Sequence, residues 1–351
     1  MRELSTKAYA AHDPTGILSP FSLDRREPRP HDVLIEILYC GVCHSDLHQA
    51  RDDWGGSRYP MVPGHEIVGR VTRVGSEVTK FKAGDIAGVG VLIDSCRTCN
   101  PCKSGLENYC VEGMTGTYNA IERDGKTLAQ GGYSTQIVTD EQYVLRIPPG
   151  LDLKAVAPLL CAGITTYSPL RHVGVKAGMK VGVVGLGGLG HMGLKFAASF
   201  GAEVSLISSS PEKEADARRL GAHHFVLSTE RSSMKKFDSY FDVLLNTVSA
   251  NHDYNPYLRL LGLNGTMIIV GLPSQASTVE PFQLLKNRRR LLGSGVGGIK
   301  ETQEMLDYCA EKNIVSDIEL IAIQQINEAL ERMEKGDVRY RFVIDLASLK
   351  G

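Results

Sequence analysis

Residues 181–193 read VGVVGLGGLGHMG, and this stretch determines the architecture of the middle of the chain. Three of its glycines have the spacing G-x-G-x-x-G, with an apolar run before them and a helical pattern after them. A glycine turn between a strand and a helix points backbone N–H groups at a bound pyrophosphate. The spacing alone is a weak signal, but its position between a strand and a helix is what dinucleotide binding requires. The residues predicted to contact the dinucleotide here are Gly185, Gly187, Gly188, Leu189 and Gly190.

Strand and helix patterns alternate around that turn, which predicts a parallel doubly wound sheet. The predicted strands are residues 179–184, 203–207, 241–246 and 266–270, and the predicted helices are residues 189–200 and 211–220.

The rest of the chain has a different pattern. Residues 1 to about 155 show short strands, such as 33–39 and 67–74, with frequent Gly and Pro between them, which indicates a small irregular β-barrel. From residue 296 a helical pattern leads to the final strand VRYRFVIDL, which we expect to return to the first domain. The predicted domains are therefore 1–155, 156–295 and 296–351.

The residues that follow the second strand of the doubly wound sheet indicate which dinucleotide binds. An NAD-specific site usually has an acidic residue about 20 residues after the glycine turn, where it binds the ribose 2′-OH. Here the strand ends in Ser208, Ser209 and Ser210, with Lys213 nearby. Hydroxyls and a lysine suit a 2′-phosphate, so we predict NADP(H). Ser210 before Pro211 also fits a helix N-cap, and the two roles are compatible.

A metal site is predicted around residues 40–66, CGVCHSDLHQARDDWGGSRYPMVPGHE. Cys43 and His65 are good zinc ligands, and Cys161 in APLLCAGITTYSP is the candidate for a third. Two thiolates and one imidazole leave a coordination position open, in which zinc polarises an oxygen atom. Glu66 is either a transient fourth ligand or an anion beside the site.

Polar residues next to these ligands suggest proton transfer. Ser45 and His48 are candidates for a relay that carries a proton between substrate and solvent. Asp46 is placed to accept the second imidazole N–H of His65, although a turn-forming role is equally compatible with the sequence. His44 either meets a cofactor phosphate or is simply exposed.

A second cysteine cluster, SCRTCNPCKSGLENYC (95–110), has the spacing C-x2-C-x2-C-x7-C. Four thiolates so close in sequence close a tetrahedron around a structural zinc. A redox disulfide pair is the weaker alternative, and balanced charges argue against a nucleic-acid-binding finger. The ligands are Cys96, Cys99, Cys102 and Cys110, whereas Cys40 and Cys309 are expected to be buried thiols.

The composition is ordinary for a soluble globular protein, and the length favours two domains. The chain has 351 residues, 42% of them hydrophobic and 23% charged, with a net charge of −1. This balance gives no reason to expect nucleic acid or an anionic membrane as a partner. No stretch has the length of a membrane span, so we expect a cytoplasmic protein.

The motifs together resemble a known family. GHEIVGRVTRVGSEV (64–78) matches the signature G-H-E-x2-G-x5-G-x2-V of zinc alcohol dehydrogenases, and CGVCHSD (40–46), the four-cysteine segment and GLGGLG (185–190) accompany it. The chain resembles zinc-dependent medium-chain alcohol dehydrogenases of the cinnamyl-alcohol-dehydrogenase branch, in a form similar to bacterial broad-range aldehyde reductases. The resemblance implies a GroES-like catalytic domain in two segments, a Rossmann domain between them, one catalytic and one structural zinc, and a homodimer.

The resemblance also implies roles for particular residues. It places the catalytic zinc on Cys43, His65 and Cys161, the relay on Ser45 and His48, and the NADP phosphate near Ser208, Ser209 and Lys213. It further implies that Thr165, Gly271 and Val296 line the nicotinamide or the substrate pocket.

Two departures concern the substrate. Plant members have a tryptophan in the loop that here reads GMTGTYN (113–119) and a phenylalanine in place of Gly295. Trp54, the single tryptophan, either lines the pocket instead or lies on the surface. We expect reduction of both aliphatic and aromatic aldehydes with NADPH, reversible to primary alcohol oxidation. The alternatives are an NAD-dependent polyol or secondary-alcohol dehydrogenase and a zinc-stabilised binding protein without turnover.

Overall fold

The computed structural model describes residues 4–349 of the chain. Within them the strands are β1 (Leu4–Ala11), β2 (Leu18–Arg25), β3 (Asp32–Gly41), β4 (Ile67–Val74), β5 (Ile86–Val89), β6 (Leu92–Asp94), β7 (Thr115–Gly116), β8 (Gln136–Asp140), β9 (Leu145–Arg146), β10 (Lys180–Val184), β11 (Glu203–Ser208), β12 (His224–Leu227), β13 (Phe241–Asn246), β14 (Leu261–Ile269), β15 (Arg290–Gly293), β16 (Ile318–Ala322) and β17 (Arg341–Asp345). The α-helices are α1 (His44–Ala50), α2 (Asn100–Lys103), α3 (Leu153–Val156), α4 (Ala162–His172), α5 (Gly188–Ser199), α6 (Glu214–Arg219), α7 (Arg231–Lys235), α8 (Asn255–Leu258), α9 (Pro281–Leu285), α10 (Ile299–Lys312) and α11 (Ile326–Glu334).

These elements form two compact units. One contains the chain up to Cys161 and from Gly297 onward, and the other is Ala162–Val296. The first boundary falls later than the predicted residue 155, because α3 packs against β3, β4, β16 and β17 of the first unit. None of the helices in the described part of the chain has the length and apolar character that a bilayer span needs.

The second unit is built on a six-stranded parallel sheet, as the sequence predicts. Its strand order is β12-β11-β10-β13-β14-β15. This order reverses between β10 and β13, which is the switch point where doubly wound sheets bind ligands at the carboxyl ends of their strands. β10 is buried on both faces, as expected of a central parallel strand. The predicted helix at 211–220 instead begins with a 3₁₀ turn, Pro211–Lys213, and continues as α6.

The first unit is built on a seven-stranded, mostly antiparallel sheet. Its order is β16-β17-β3-β4-β5-β9, with β8 also paired to β3. β17, near the end of the chain, pairs antiparallel with β3, so the C-terminal segment does return to the first unit. Inward-facing residues of β3, including Val33, Ile35 and Ile37, belong to the core of this unit. The centre of this sheet therefore holds the ends of β3, β4 and β17 close together, and the site described next lies there.

Candidate active site and metal centres

Four of the predicted zinc ligands lie together, buried, in the first unit. One ligand atom from each of Cys43, His65, Glu66 and Cys161 lies within 4.8 Å of the others. Cys43 follows β3 and caps α1, and His65 and Glu66 immediately precede β4. Because β3 and β4 pair antiparallel, the end of one strand meets the start of the other. Cys161 follows the 3₁₀ turn Ala157–Leu160, which packs on the same strands.

The geometry of this group fits a zinc ion. The Sγ atoms of Cys43 and Cys161 are 4.0 Å apart. Two thiolates on one tetrahedral zinc, each at about 2.3 Å, would lie about 3.8 Å from each other. Glu66 is fully buried, and among the described residues its Oε2 atom has no hydrogen-bond partner. A cation beside the thiols would satisfy that oxygen, so the donor set matches the requirements of Zn²⁺.

The charges of the site influence one another strongly. A hydrogen bond with Cys161 holds the pKa of the Cys43 thiol well below its ordinary value. The same hydrogen bond raises the pKa of Cys161. Burial raises the pKa of the Glu66 carboxyl to about 7, although the guanidinium of Arg341 opposes the shift. A compact group of anionic donors in a buried place favours the binding of a cation.

Asp46 connects the two loops that carry the zinc ligands. Its Oδ2 atom accepts hydrogen bonds from the Cys43 backbone N–H (2.9 Å) and the Tyr133 hydroxyl (3.0 Å). Its Oδ1 atom accepts from the Gly64 backbone N–H (3.0 Å) and lies 3.2 Å from His65 Nδ1. With Nδ1 occupied by the carboxylate, Nε2 of His65 is available as a ligand.

Two residues that the sequence analysis did not identify hold Glu66 in place. The guanidinium of Arg341 in β17 is buried and donates to Glu66 Oε1. Gly41 lies so close that a Cβ atom there would come within 1.9 Å of Glu66 Oε2. A single arginine in the apolar run RFVIDL was a signal for Arg341, because a buried guanidinium needs an anionic partner.

The predicted relay residues lie on α1. Ser45 Oγ is 3.6 Å from Cys43 Sγ, so its hydroxyl is beside the zinc-binding group. His48 Nδ1 is 2.8 Å from Asp53 Oδ2. The ring of Trp54 lies 5.2 Å from that of His48, and Trp54 is 44% exposed. This tryptophan therefore lies at the solvent-exposed end of the predicted relay.

Two aromatic contacts complete the surroundings. The ring of Tyr118, in the loop at residues 113–119, stacks with its centroid 5.8 Å from that of the His65 imidazole. Sequence analysis had singled out the loop but not this residue. His44 is exposed, with its ring 6.4 Å from that of His48.

The four-cysteine segment forms a separate cluster. Its four sulfur atoms lie within 4.8 Å of one another. Cys102 Sγ is 3.9 Å from Cys96 Sγ and 3.4 Å from Cys99 Sγ. The Cys99 backbone N–H donates to Cys96 Sγ, which lowers the pKa of the Cys96 thiol to about 6. The Cys96 N–H donates in turn to Cys110 Sγ. Four such sulfurs fit a closed, structural zinc site.

The glycine turn of the second unit has the form that a pyrophosphate requires. Gly185 has φ +89°, a left-handed conformation that suits glycine. A Cβ atom on Gly187 would meet nothing within 4 Å, whereas one on Gly190 would lie 2.1 Å from the Gly185 carbonyl oxygen. These are the three functions of such glycines, namely the tight turn, the open approach to the ligand and close packing of helix on strand. Gly188 and Leu189 begin α5 directly after the turn.

The residues predicted to bind a 2′-phosphate lie at the end of β11. Ser208 is its last residue and is buried, and its Oγ atom accepts from the Ser210 N–H at 3.2 Å. Ser209 is exposed. Lys213 Nζ donates to the Leu186 carbonyl oxygen at 3.1 Å, so the lysine reaches the glycine turn.

The remaining predicted cofactor contacts also lie in the second unit. Thr165 is buried in α4. Gly271 follows β14, where a Cβ atom would lie 2.3 Å from the Val248 carbonyl oxygen. Val296 has φ +48°, which is unusual for a β-branched residue.

Comparisons with known proteins agree with this geometry. Residues 29–149 match the alcohol dehydrogenase GroES-like domain, and residues 188–311 match the zinc-binding dehydrogenase domain. The chain is 54% identical over 347 residues to the NADP-dependent alcohol dehydrogenase C 1 of Mycolicibacterium smegmatis, covering 99% of each protein. It is 54% identical over 351 residues to the aldehyde reductase YahK of Escherichia coli, again covering 99% of each. Among solved structures, a cinnamyl alcohol dehydrogenase of Sorghum bicolor superposes with a TM-score of 0.95 at 46% identity, covering 98% of each chain. With relatives this similar over almost its full length, the chain belongs to the family of zinc-binding alcohol dehydrogenases.

Proposed function

We propose that this protein is an NADP(H)-dependent aldehyde reductase, reversible to the oxidation of primary alcohols. The observation that carries the proposal is a buried Cys₂His set with an unpaired carboxylate oxygen, in a chain whose glycine turn is followed by serines and a lysine instead of an acid. Relatives named NADP-dependent alcohol dehydrogenase and aldehyde reductase support it.

The chain's own residues prepare the metal site. Zn²⁺ held by Cys43, His65 and Cys161 would supply a Lewis acid for the carbonyl oxygen, and NADPH would supply the hydride. Asp46 holds the imidazole of His65 in the tautomer that leaves Nε2 free. Arg341 balances the charge of Glu66, which keeps that carboxylate near the ligands without an uncompensated buried anion.

Proton movement is assigned to α1. The Ser45 hydroxyl, beside Cys43, would lie next to the reacting oxygen, and His48, at the other end of the relay, would exchange the proton with solvent. Asp53 orients the His48 ring by occupying its Nδ1 atom.

Cofactor choice is assigned to the end of β11. Ser208, Ser209 and Lys213 are proposed to bind the 2′-phosphate, and Gly187 and the start of α5 to bind the pyrophosphate. Thr165, Gly271 and Val296 are proposed to line the nicotinamide or the substrate pocket.

The decisive experiment compares kcat/KM for NADPH and NADH across short aliphatic, branched and aromatic aldehydes. We expect NADPH to be preferred at least tenfold, two zinc ions per chain, and no turnover in Cys43→Ser with the four-cysteine zinc still present. A tenfold preference for NADH, together with activity on polyols or secondary alcohols, would favour the NAD-dependent alternative. Full activity in a metal-free preparation would refute the mechanism.

We also propose a homodimer formed through the second unit. β15 is an edge strand of the six-stranded sheet, and an edge strand has backbone groups available for pairing. Apolar side chains are exposed on β15 and on the preceding helix α9, namely Leu291 (37%), Phe282 (69%) and Leu285 (75%). A second copy could cover this face symmetrically. Light scattering should give twice the chain mass, and Leu291→Lys should shift it toward the monomer. A monomeric wild type would refute the proposal.

A cytoplasmic location is proposed on the basis of the thiols. All eight cysteines are free, and six of them serve the two zinc-binding groups or lie beside them, whereas disulfides would be expected in an oxidising compartment. Fractionation of the producing cells tests the location.

A further inference from the structure

Residues 130–134, QGGYS, are held against the loop that carries His65. The backbone N–H groups of Gly131, Gly132 and Tyr133 donate to the carbonyl oxygens of Val62 (2.7 Å), Gly64 (2.8 Å) and Pro63 (3.0 Å) respectively. These three acceptors immediately precede the histidine. The segment 130–134 therefore determines the path of the chain into a proposed zinc ligand.

Side chains strengthen this attachment from both sides. The Gln130 amide accepts from the Val62 N–H (2.7 Å) and donates to the Pro60 carbonyl oxygen (2.9 Å). On the opposite side, Arg25 at the end of β2 donates to the carbonyl oxygens of Gln130 (2.7 Å) and Gly131 (3.0 Å). It also donates to Ser134 Oγ at 3.1 Å.

The side chain of Tyr133 continues the connection toward the metal site. It is completely buried, and its hydroxyl donates to Asp46 Oδ2. The same oxygen accepts from the Cys43 N–H, and the other carboxylate oxygen meets Gly64 and His65. Phenylalanine would fill the same space, so packing alone does not explain the hydroxyl. Its only polar atom is used to orient the carboxylate that joins two zinc-binding loops.

We propose that Tyr133 is a positioning residue for the catalytic zinc, acting through Asp46, with Arg25 holding the segment that presents it. The proposal rests on the zinc-dependent function proposed above. Without the hydroxyl, Asp46 loses one of its donors, and the orientations of His65 and Cys43 are less firmly fixed. Groups that orient metal ligands typically change metal affinity by about 10- to 100-fold when they are removed.

The test is Tyr133→Phe in the zinc-loaded full chain, with zinc release to a chromogenic chelator followed well below the unfolding temperature. Release from wild type should show two phases, and Cys43→Ser should lack the one that belongs to the catalytic site. In Tyr133→Phe we expect that phase to be about 10- to 100-fold faster, with the four-cysteine phase unchanged. In the cobalt-substituted protein the thiolate charge-transfer bands should shift as well.

Matched controls separate positioning from general loosening. Tyr240→Phe likewise removes a tyrosine hydroxyl that donates a hydrogen bond to a carboxylate, in this case Glu203 in the other unit. This variant should leave both phases of zinc release unchanged. In an Asp46→Asn background, Tyr133→Phe should add less than twofold, because the two residues act in one chain of contacts.

Several results would overturn the inference: an unchanged catalytic phase, equal acceleration of both phases, or a full effect of Tyr133→Phe in the Asp46→Asn background. If Tyr133→Phe does not fold, Arg25→Gln keeps the tyrosine and should accelerate the catalytic phase selectively; no acceleration there overturns the inference equally. A wild-type chain that binds one zinc only would instead refute the proposed function.

Discussion

Gly41→Ala should damage the active site through a single added methyl group. The Cβ atom would lie 1.9 Å from Glu66 Oε2 and 2.9 Å from Glu66 Cδ, well inside contact distance. The φ angle of Gly41 is outside the left-handed region, so alanine introduces no backbone strain of its own. Glu66 is buried and bound to Arg341, so its carboxylate can move only by breaking that ion pair.

The expected cost is the difference of two terms. Separating a buried charge from its partner costs about 3–5 kcal/mol. Replacing glycine by alanine at an unstrained position normally stabilises by about 0.4–1 kcal/mol, because the unfolded chain loses freedom. The net loss should therefore be about 2–4.5 kcal/mol in the free energy of unfolding of the first unit. An ordinary Gly→Ala change in a strand would have the opposite sign.

Equilibrium unfolding in guanidinium chloride measures this loss of unfolding free energy. The single tryptophan, Trp54, belongs to the first unit, so its fluorescence reports on that unit, while circular dichroism follows the whole chain. Glu66→Ala provides the internal control, since it removes the two atoms that the methyl group would meet most closely. In the Glu66→Ala background, Gly41→Ala should lower the free energy of unfolding by less than about 1 kcal/mol. The difference from its effect in wild type is the coupling energy between positions 41 and 66, which should be large. Wild-type stability and zinc content in Gly41→Ala, or an equal loss in both backgrounds, would refute the reasoning.

Three further predictions concern the cofactor, the second unit and the structural zinc. Ser208→Asp should lower the NADPH/NADH ratio of kcat/KM roughly 100-fold, since like charges brought together cost several kcal/mol; an unchanged ratio would remove Ser208 from the 2′-phosphate site. The hydrogen bond from Tyr240 lowers the pKa of Glu203 below its ordinary value of 4.5, so its stabilising effect is complete above that value and is lost as the pH falls through the lower, folded-state pKa. Melting temperatures of wild type and Tyr240→Phe should accordingly differ at neutral pH and converge in acid; a constant difference would contradict this. Cys110→Ser should reduce the zinc content from two to one per chain and expose the four-cysteine segment to protease, and retention of both zinc ions would show that Cys110 is not a ligand.

The parts of the protein that a sequence predicts well are those whose partners are close in sequence. The glycine turn is formed by residues a few positions apart, so dinucleotide binding could be predicted from the glycine spacing together with the strand before it and the helix after it. The candidate zinc ligands outside the four-cysteine segment were predicted from residue type instead of from spacing. Few residue types bind zinc, and the chain contains few cysteines and histidines, which left Cys43, His65 and Cys161 as the candidates. Arg341 was missed because its partner Glu66 is 275 positions away. Its position at the start of the apolar run RFVIDL indicates a buried cation, but the local sequence does not indicate which anion it meets.

The two zinc-binding groups also differ in how far apart their residues lie in the sequence. The four cysteines lie within residues 96–110, so a short segment brings all of its donors together, and metal binding can organise it locally. The group of Cys43, His65, Glu66 and Cys161 takes its donors from the segment after β3, the segment before β4 and the turn before α4. Its supporting contacts come from Tyr133 and Arg341. Its geometry therefore exists only when the whole first unit is folded, including the segment from the end of the chain. An open metal site needs ligands that are held in place without a fourth protein thiolate. In a catalytic zinc site of the proposed kind, these distant supports would leave one position available for substrate.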